Sequence, residues 1–218
     1  MKDTTTIKGA TPTAGHAGAP APRMIQAERV VKEAIGLTDV KTLRARARKR
    51  IEDGAMTSGY QAKAETVIAL LNEALATEIV CVLRYKRHYF MASGINSLSV
   101  KAEFLQHVAE EQAHADLLAE RIVQLGGEPD LAPERLLARS HSEYVEGNSL
   151  VEMITEDLVA ERIAIDSYRE MIAYLGSDDS TTRQVLEGIL AQEEEHAEEL
   201  ASLLKELGPH AQADDPGC

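Results

Sequence analysis

The strongest constraint on the fold is a set of four long amphipathic patterns, each with a glutamate in the middle of its apolar stripe. Apolar residues recur at helical spacing over four segments, residues 62–93, 99–125, 149–175 and 179–208. The four interrupting acids are Glu78, Glu111, Glu161 and Glu193. Because a residue inside an apolar stripe faces the core, all four carboxylates are predicted to point inward.

The connections between these helices predict their topology. Only a few residues join the first helix to the second and the third to the fourth, so each pair is predicted to form an antiparallel hairpin. About 24 residues separate the two hairpins, enough to run the length of a bundle. Ser149 and Glu152 predict a capping box at the start of the third helix. The pattern therefore predicts an all-α, antiparallel four-helix bundle with one long crossover.

Two of the four glutamates begin ExxH motifs, which end at His114 and His196. A spacing of three residues places both side chains of each motif on one helical face. One such motif is common by chance. The spacing of the glutamates strengthens the interpretation as a site, since Glu78 precedes Glu111 by 33 residues and Glu161 precedes its ExxH glutamate by 32. The chain is thus a pseudo-repeat of glutamate, turn and ExxH, and its six side chains are predicted to meet at one depth of the bundle.

Four buried carboxylates without cations would each cost several kcal/mol and would repel one another. Two divalent cations would balance their charge, and a mixed set of carboxylates and imidazoles suits iron or manganese better than zinc. The predicted ligands of the two ions are Glu78, Glu111, His114, Glu161, Glu193 and His196.

Three further residues are predicted to support the ligands. Tyr85 and Tyr168 each follow a ligand glutamate by seven residues, so their hydroxyls can donate to ligand carboxylates, although packed core tyrosines would show the same spacing. Asp157 lies one turn before Glu161 and is predicted to orient a ligand histidine. Cys81 is interpreted as core packing, with a redox role as the alternative.

The chain is predicted to divide into four parts. These are a disordered tail at 1–22, a basic extension with two short helices at 23–59, the metal-binding bundle at 60–208 and a C-terminal tail at 209–218. The net charge is −13, yet residues 41–50 carry six Lys or Arg, which could contact phosphates or the acidic body.

Cysteine usage and hydropathy point to a cytoplasmic location. Cys81 and Cys218 cannot form a disulfide framework or a CxxC metal knuckle. The N-terminal residues contain no apolar run typical of a signal peptide, and no segment approaches the roughly 20 uncharged residues of a membrane span. We therefore expect a cytoplasmic protein without a membrane-spanning segment.

A resemblance to a known family is carried by four segments: LNEALATEIVCVLRY, AEEQAHADLLAERI, DLVAERIAI and ILAQEEEHAEEL. Together they resemble the ligand-bearing helices of the bacterioferritin and Dps-like branch of the ferritin-like superfamily, over residues 65–207. The resemblance implies a ferroxidase that oxidises Fe(II) to Fe(III) with dioxygen or peroxide at a di-iron site within one subunit. Iron storage, detoxification and protection against oxidative stress are the implied roles, with the family's ligands on the six residues named above.

Two departures from the bacterioferritin pattern modify these expectations. Gln112 stands where bacterioferritins have the haem-binding methionine, so haem is not expected. The stretch PHAQADDPGC after the fourth helix is too short for the fifth helix of 24-subunit shells, so a dodecameric, Dps-like shell is expected instead. Basic extensions of Dps proteins often contact DNA, which implies DNA contact through residues 41–50.

Two alternative functions stay open at this point. Manganese catalases use similar ligands, so the site could disproportionate peroxide at two manganese ions. The chain could also act as a DNA-binding, Dps-type nucleoid protein.

Overall fold

A computed structural model of the protein describes residues 36–208, and within this range every regular element is a helix, as predicted. Two units are distinguished there, residues 36–49 and residues 50–208. The first contains α1, Val40–Arg46, where the Asp39 carboxylate caps the helix by accepting from the Thr42 amide at 3.0 Å. The tail expected at 1–22, the helix expected before Gly36 and the C-terminal tail lie outside the described residues.

The second unit is built on four long helices and one short one, after a 3-10 turn at Ile51–Asp53. The helices are α2 (Ala64–Met91), α3 (Ser97–Gln124), α4 (Pro133–Arg139), α5 (Leu150–Leu175) and α6 (Ser180–Leu207). The four long helices match the four predicted segments to within a few residues. The short helix α4 was not predicted, and it lies within the long crossover between α3 and α5.

Local sequence signals end α3 and begin α5. Gly126, with φ 82°, follows the end of α3 in the left-handed conformation that a Cβ atom would disfavour. Ser149 caps α5, because its hydroxyl accepts from the Glu152 amide at 3.2 Å. The Glu152 carboxylate accepts from the amide of Asn148 at 2.7 Å, so the predicted box closes one residue earlier than expected.

Two buried apolar clusters show how the long helices run. One cluster takes the N-terminal halves of α2 and α6 and the C-terminal halves of α3 and α5, and the other takes the opposite halves. Each long helix is therefore antiparallel to both of its neighbours. Burying a side chain such as Leu118 or Ile154, both fully buried, stabilises the fold by about 1.5 to 3 kcal/mol. The predicted bundle with one long crossover is confirmed.

The crossover is fastened along α2 by side chains of that helix. The Thr77 hydroxyl accepts from the His141 amide at 2.9 Å. Two helical turns further along α2, Arg84 donates to the Glu143 carbonyl at 3.0 Å. These bonds satisfy backbone groups that a long irregular segment would otherwise leave without partners. The crossover is thereby held alongside α2 at the depth where the polar residues of the core lie.

Helix α2 is unusually apolar for a helix that carries a buried acid. Among residues 36–208 it is the one helix whose length and composition would suffice to cross a membrane, with a mean hydropathy of 1.8 over its most apolar 18 residues. More than half of that stretch is buried inside the bundle, and it includes Glu78. These are the properties of a core helix.

Candidate metal centre

Between the two apolar clusters, each of the four long helices contributes a buried glutamate. The six predicted ligand residues come together there, and none is more than 2% exposed. Two groups of possible ligand atoms result, each within 4.8 Å of one another: Glu78, Glu111, His114 and Glu193 in the first, and Glu111, Glu161, Glu193 and His196 in the second. Glu111 and Glu193 belong to both groups, so their carboxylates lie between the two positions.

The first group surrounds the Nδ1 atom of His114. This nitrogen lies 3.1 Å from a carboxylate oxygen of Glu193, 3.3 Å from one of Glu111 and 3.5 Å from one of Glu78. Three of the four residues come from the first hairpin, and Glu193 comes from the second. A metal ion at this position would have one nitrogen and three carboxylate groups as ligands.

The second group repeats this arrangement around the Nδ1 atom of His196. Here the distances are 3.3 Å to Glu111, 3.5 Å to Glu193 and 3.9 Å to Glu161. The roles of the two hairpins are exchanged, since three residues now come from the second hairpin. The pseudo-repeat in the sequence thus becomes a pseudo-two-fold arrangement of side chains.

Burial and mutual repulsion disfavour four ionised carboxylates at the metal-free centre. Burial and two neighbouring carboxylates raise the pKa of Glu78 and of Glu161 well above the usual value. Burial also disfavours the ionised form of Glu111, but close contacts with Glu78, His114 and His196 hold the pKa of Glu111 below its usual value. A bound cation would oppose the effect of burial, because it favours the ionised form of each carboxylate.

Unpartnered polar atoms are concentrated at this centre. Eight buried side-chain nitrogen or oxygen atoms in the described residues have no hydrogen-bond partner, and five of them belong to four of the six predicted ligands. These are Glu78 Oε2, Glu111 Oε1, both carboxylate oxygens of Glu193 and His196 Nδ1. Buried polar groups without partners are rare because desolvation is costly. Cations would satisfy these atoms, and two divalent ions would balance the four carboxylates, so the residues present fit a two-metal site.

Two buried tyrosines donate to the outer glutamates across the bundle. The Tyr85 hydroxyl donates to Glu161, and the Tyr168 hydroxyl donates to Glu78. Both tyrosines were predicted as donors from a spacing of seven residues, but each contacts the glutamate of the other hairpin rather than the one on its own helix. The crossed bonds fix the orientation of both outer carboxylates.

The outer nitrogen of each ligand histidine contacts a residue that sequence reasoning missed. His114 Nε2 lies 2.9 Å from the side-chain oxygen of Gln192, and His196 Nε2 lies 2.9 Å from a carboxylate oxygen of Glu110. Each partner immediately precedes the glutamate of the opposite ExxH motif. A polar residue at that position in both motifs is the signal that could have identified the pair.

Asp157 has a different role from the predicted one. One of its oxygens accepts from Arg84 Nε at 2.8 Å, and the other lies 2.8 Å from His88 Nδ1. All three side chains are buried. The expected bond to a ligand histidine is replaced by this network, in which the Arg84 guanidinium forms a charge-assisted hydrogen bond with the buried carboxylate.

Cys81 is buried and packs beside the same network. Its Sγ lies 3.6 Å from the Ser142 hydroxyl and accepts from Arg84 at 3.5 Å. Burial raises the pKa of the Cys81 thiol well above its usual value, which opposes thiolate formation. These contacts agree with core packing.

Comparison with known families places most of the second unit in one of them. The family described as Ferritin, Ferritin-like domain, matches residues 68–208. This range covers all four long helices almost completely, and it includes each of the six predicted ligands.

Individual relatives carry names of two kinds. The nutrient stress-induced DNA-binding protein of Synechococcus sp. is 33% identical over 138 residues, which are 62% of this chain and 78% of that protein. The bacterioferritin of Streptomyces coelicolor is 32% identical over 146 residues, 65% of this chain and 83% of that protein. Among solved structures, the dodecameric thioferritin of Bacteroides fragilis, a bacterioferritin-related protein, has a TM-score of 0.66 and 29% identity, and the match covers 71% of this chain and 94% of that one.

Proposed function

Because this chain belongs to the ferritin-like family, we propose that it is a ferroxidase that oxidises Fe(II) to Fe(III) at the centre between its two hairpins. Fe(II) is the substrate. Two ferrous ions release two electrons, which with two protons reduce one dioxygen to hydrogen peroxide or one hydrogen peroxide to water. The observation that carries the proposal is the convergence of four buried glutamates and two histidines with unpartnered atoms facing one another.

The charge of the centre favours oxidation of the bound ion. A trivalent cation gains more than a divalent one from fixed carboxylates, and this difference is large where water is excluded. Glu111 and Glu193 hold the two iron ions next to each other because each lies in both ligand groups. Tyr85 and Tyr168 keep the outer glutamates turned toward the centre. Manganese could occupy the same ligands, but the bacterioferritin relatives favour iron.

Storage or detoxification of the ferric product is the role proposed for the whole assembly. A shell built from copies of this chain, of the dodecameric kind named for the Bacteroides fragilis protein, is the form we favour. Large apolar side chains around the turn between α2 and α3 support assembly, since Ile95 and Leu98 are 94% and 81% exposed in the single chain. The mass of the protein in solution, measured by light scattering, tests this form.

Stoichiometric iron loading tests the ferroxidase proposal. Anaerobic addition of Fe(II) followed by dioxygen or peroxide should give a fast rise in ferric absorbance that saturates at about two irons per chain. Oxygen evolution from peroxide by the manganese-loaded protein would instead indicate a catalase. A rise proportional to added iron with no break near this ratio would contradict a defined two-iron centre.

DNA binding is a second candidate function, favoured by one surface feature. All six Lys and Arg of residues 41–50 are exposed, and one relative is named as a DNA-binding protein. We expect the full-length protein to retard duplex DNA in a gel, with an affinity that falls steeply as salt rises. Replacing Lys41, Arg44, Arg46 and Arg48 with glutamine should remove this binding and leave iron oxidation unchanged. Retardation by the variant equal to that by the wild type would exclude this role for the basic segment.

A further inference from the structure

A second cluster of metal-ligating side chains lies beside the two-metal centre, in the groove between α3 and α6. It consists of Glu103, His107 and Glu199, whose possible ligand atoms lie within 4.8 Å of one another. His107 Nε2 is 3.1 Å from a Glu199 oxygen and 3.6 Å from a Glu103 oxygen. None of these three residues was predicted from the sequence to be a ligand.

His107 is held in place by aromatic neighbours. The ring is completely buried and stacks on His196, with ring centroids 4.0 Å apart, while its other contact is edge-to-face with Tyr85 at 5.0 Å. Its Nδ1 atom is buried and has no hydrogen-bond partner, so this side of the ring does not take part in a polar network of the core. The packing instead directs Nε2 toward the two carboxylates.

The two carboxylates face each other, and no Lys or Arg of residues 36–208 forms an ion pair with either of them. Burial and a hydrogen bond with Glu199 raise the pKa of Glu103 to about 7. Such a contact between acids is unfavourable when both are ionised, and a cation between them removes the repulsion. Side-chain exposures of 26% for Glu103 and 36% for Glu199 leave room for water molecules to complete a coordination sphere.

We propose that Glu103, His107 and Glu199 form a third metal site, separate from the two-metal centre, which binds one divalent transition-metal ion such as Fe(II). One imidazole and two carboxylates with solvent at the remaining positions suit a labile first-row ion. The proposal does not depend on ferroxidase activity. The site lies next to the two-metal centre, since possible ligand atoms of His107, Glu110 and His196 also lie within 4.8 Å of one another. His107 belongs to the groove and His196 to the centre, so this group of residues links the two sites.

Cobalt(II) binding in the absence of peroxide provides the test, because it requires no oxidation. Equilibrium dialysis of the full-length wild type should give about three ions per chain, and the variant Glu103→Gln with Glu199→Gln should bind about one fewer. Neither substitution alters a fully buried side chain. The matched control, Glu195→Gln with Glu198→Gln, removes two exposed acids from α6 and should bind as many ions as the wild type.

A second variant separates this site from the two-metal centre. Glu78→Gln with Glu161→Gln should weaken binding at the centre but keep the ion in the groove, visible as an anomalous scattering peak between Glu103, His107 and Glu199 in cobalt-soaked crystals. The third site is overturned if no peak appears there in the wild type, or if Glu103→Gln with Glu199→Gln binds as many ions as the wild type. A wild type that shows this peak but does not oxidise Fe(II) would overturn only the proposed function.

Discussion

Replacement of both Glu111 and Glu193 with glutamine is expected to slow Fe(II) oxidation by more than about a hundredfold, since losing a partner outside the ligand shell alone costs about 10- to 100-fold. Each residue lies in both ligand groups, so the double variant removes both carboxylates that lie between the two metal positions. Glutamine keeps the volume of the side chain and one acceptor oxygen, so the packing around the centre is preserved. The fold should therefore survive while the site fails.

The rate is measured by stopped-flow absorbance of the ferric product after mixing the anaerobic iron-loaded protein with dioxygen or with peroxide. The control is Glu120→Gln with Glu195→Gln, which also neutralises one acid on α3 and one on α6, both exposed. Its rate should equal that of the wild type. A double variant at Glu111 and Glu193 that is folded and still oxidises iron at the wild-type rate would remove these residues from the reaction.

Divalent cations are expected to stabilise the folded protein strongly, because the ligand atoms converge only in the folded state. At a free ion concentration one hundred times the dissociation constant, each site adds about 2.7 kcal/mol to the free energy of unfolding, so two sites add about 5 kcal/mol. For a domain of this size the melting temperature should then rise by about 10 to 20 °C. Manganese(II) without an oxidant gives this comparison without redox chemistry.

Differential scanning calorimetry with manganese or with a chelator measures the shift. The Glu111→Gln, Glu193→Gln variant should lose most of it, whereas the Glu120→Gln, Glu195→Gln variant should retain it. An equal rise in all three proteins would mean that the ions act at surface sites, and the central cluster would then need another explanation.

Helical periodicity predicted most of the fold because the long helices are long enough to display it. Glu78 and Glu193 could be assigned to the interior, since each interrupts an apolar stripe of at least three turns. Helix α4 could not, because its seven residues bury only Leu136 and give no repeated pattern.

Contacts within the centre were harder to predict than the membership of its ligand set. Sequence spacing gives the face on which Tyr85 lies but not the neighbour across the bundle, so its bond to Glu161 needed the structure. Asp157 was misassigned because its partner is decided by Arg84 on a different helix. Glu110 and Gln192 precede the ligands at the edge of a stripe, where polar side chains are normally solvated.

The division of ligands between hairpins also affects the folding pathway. Each hairpin forms from contacts close in sequence, whereas a cation in either ligand group contacts three side chains of one hairpin and one of the other. Those four ligands are complete only after the hairpins have docked, which is a late event in a bundle with mostly local contacts. A bound ion would therefore stabilise the native state but not the folding transition state, so it would slow unfolding and leave the folding rate almost unchanged.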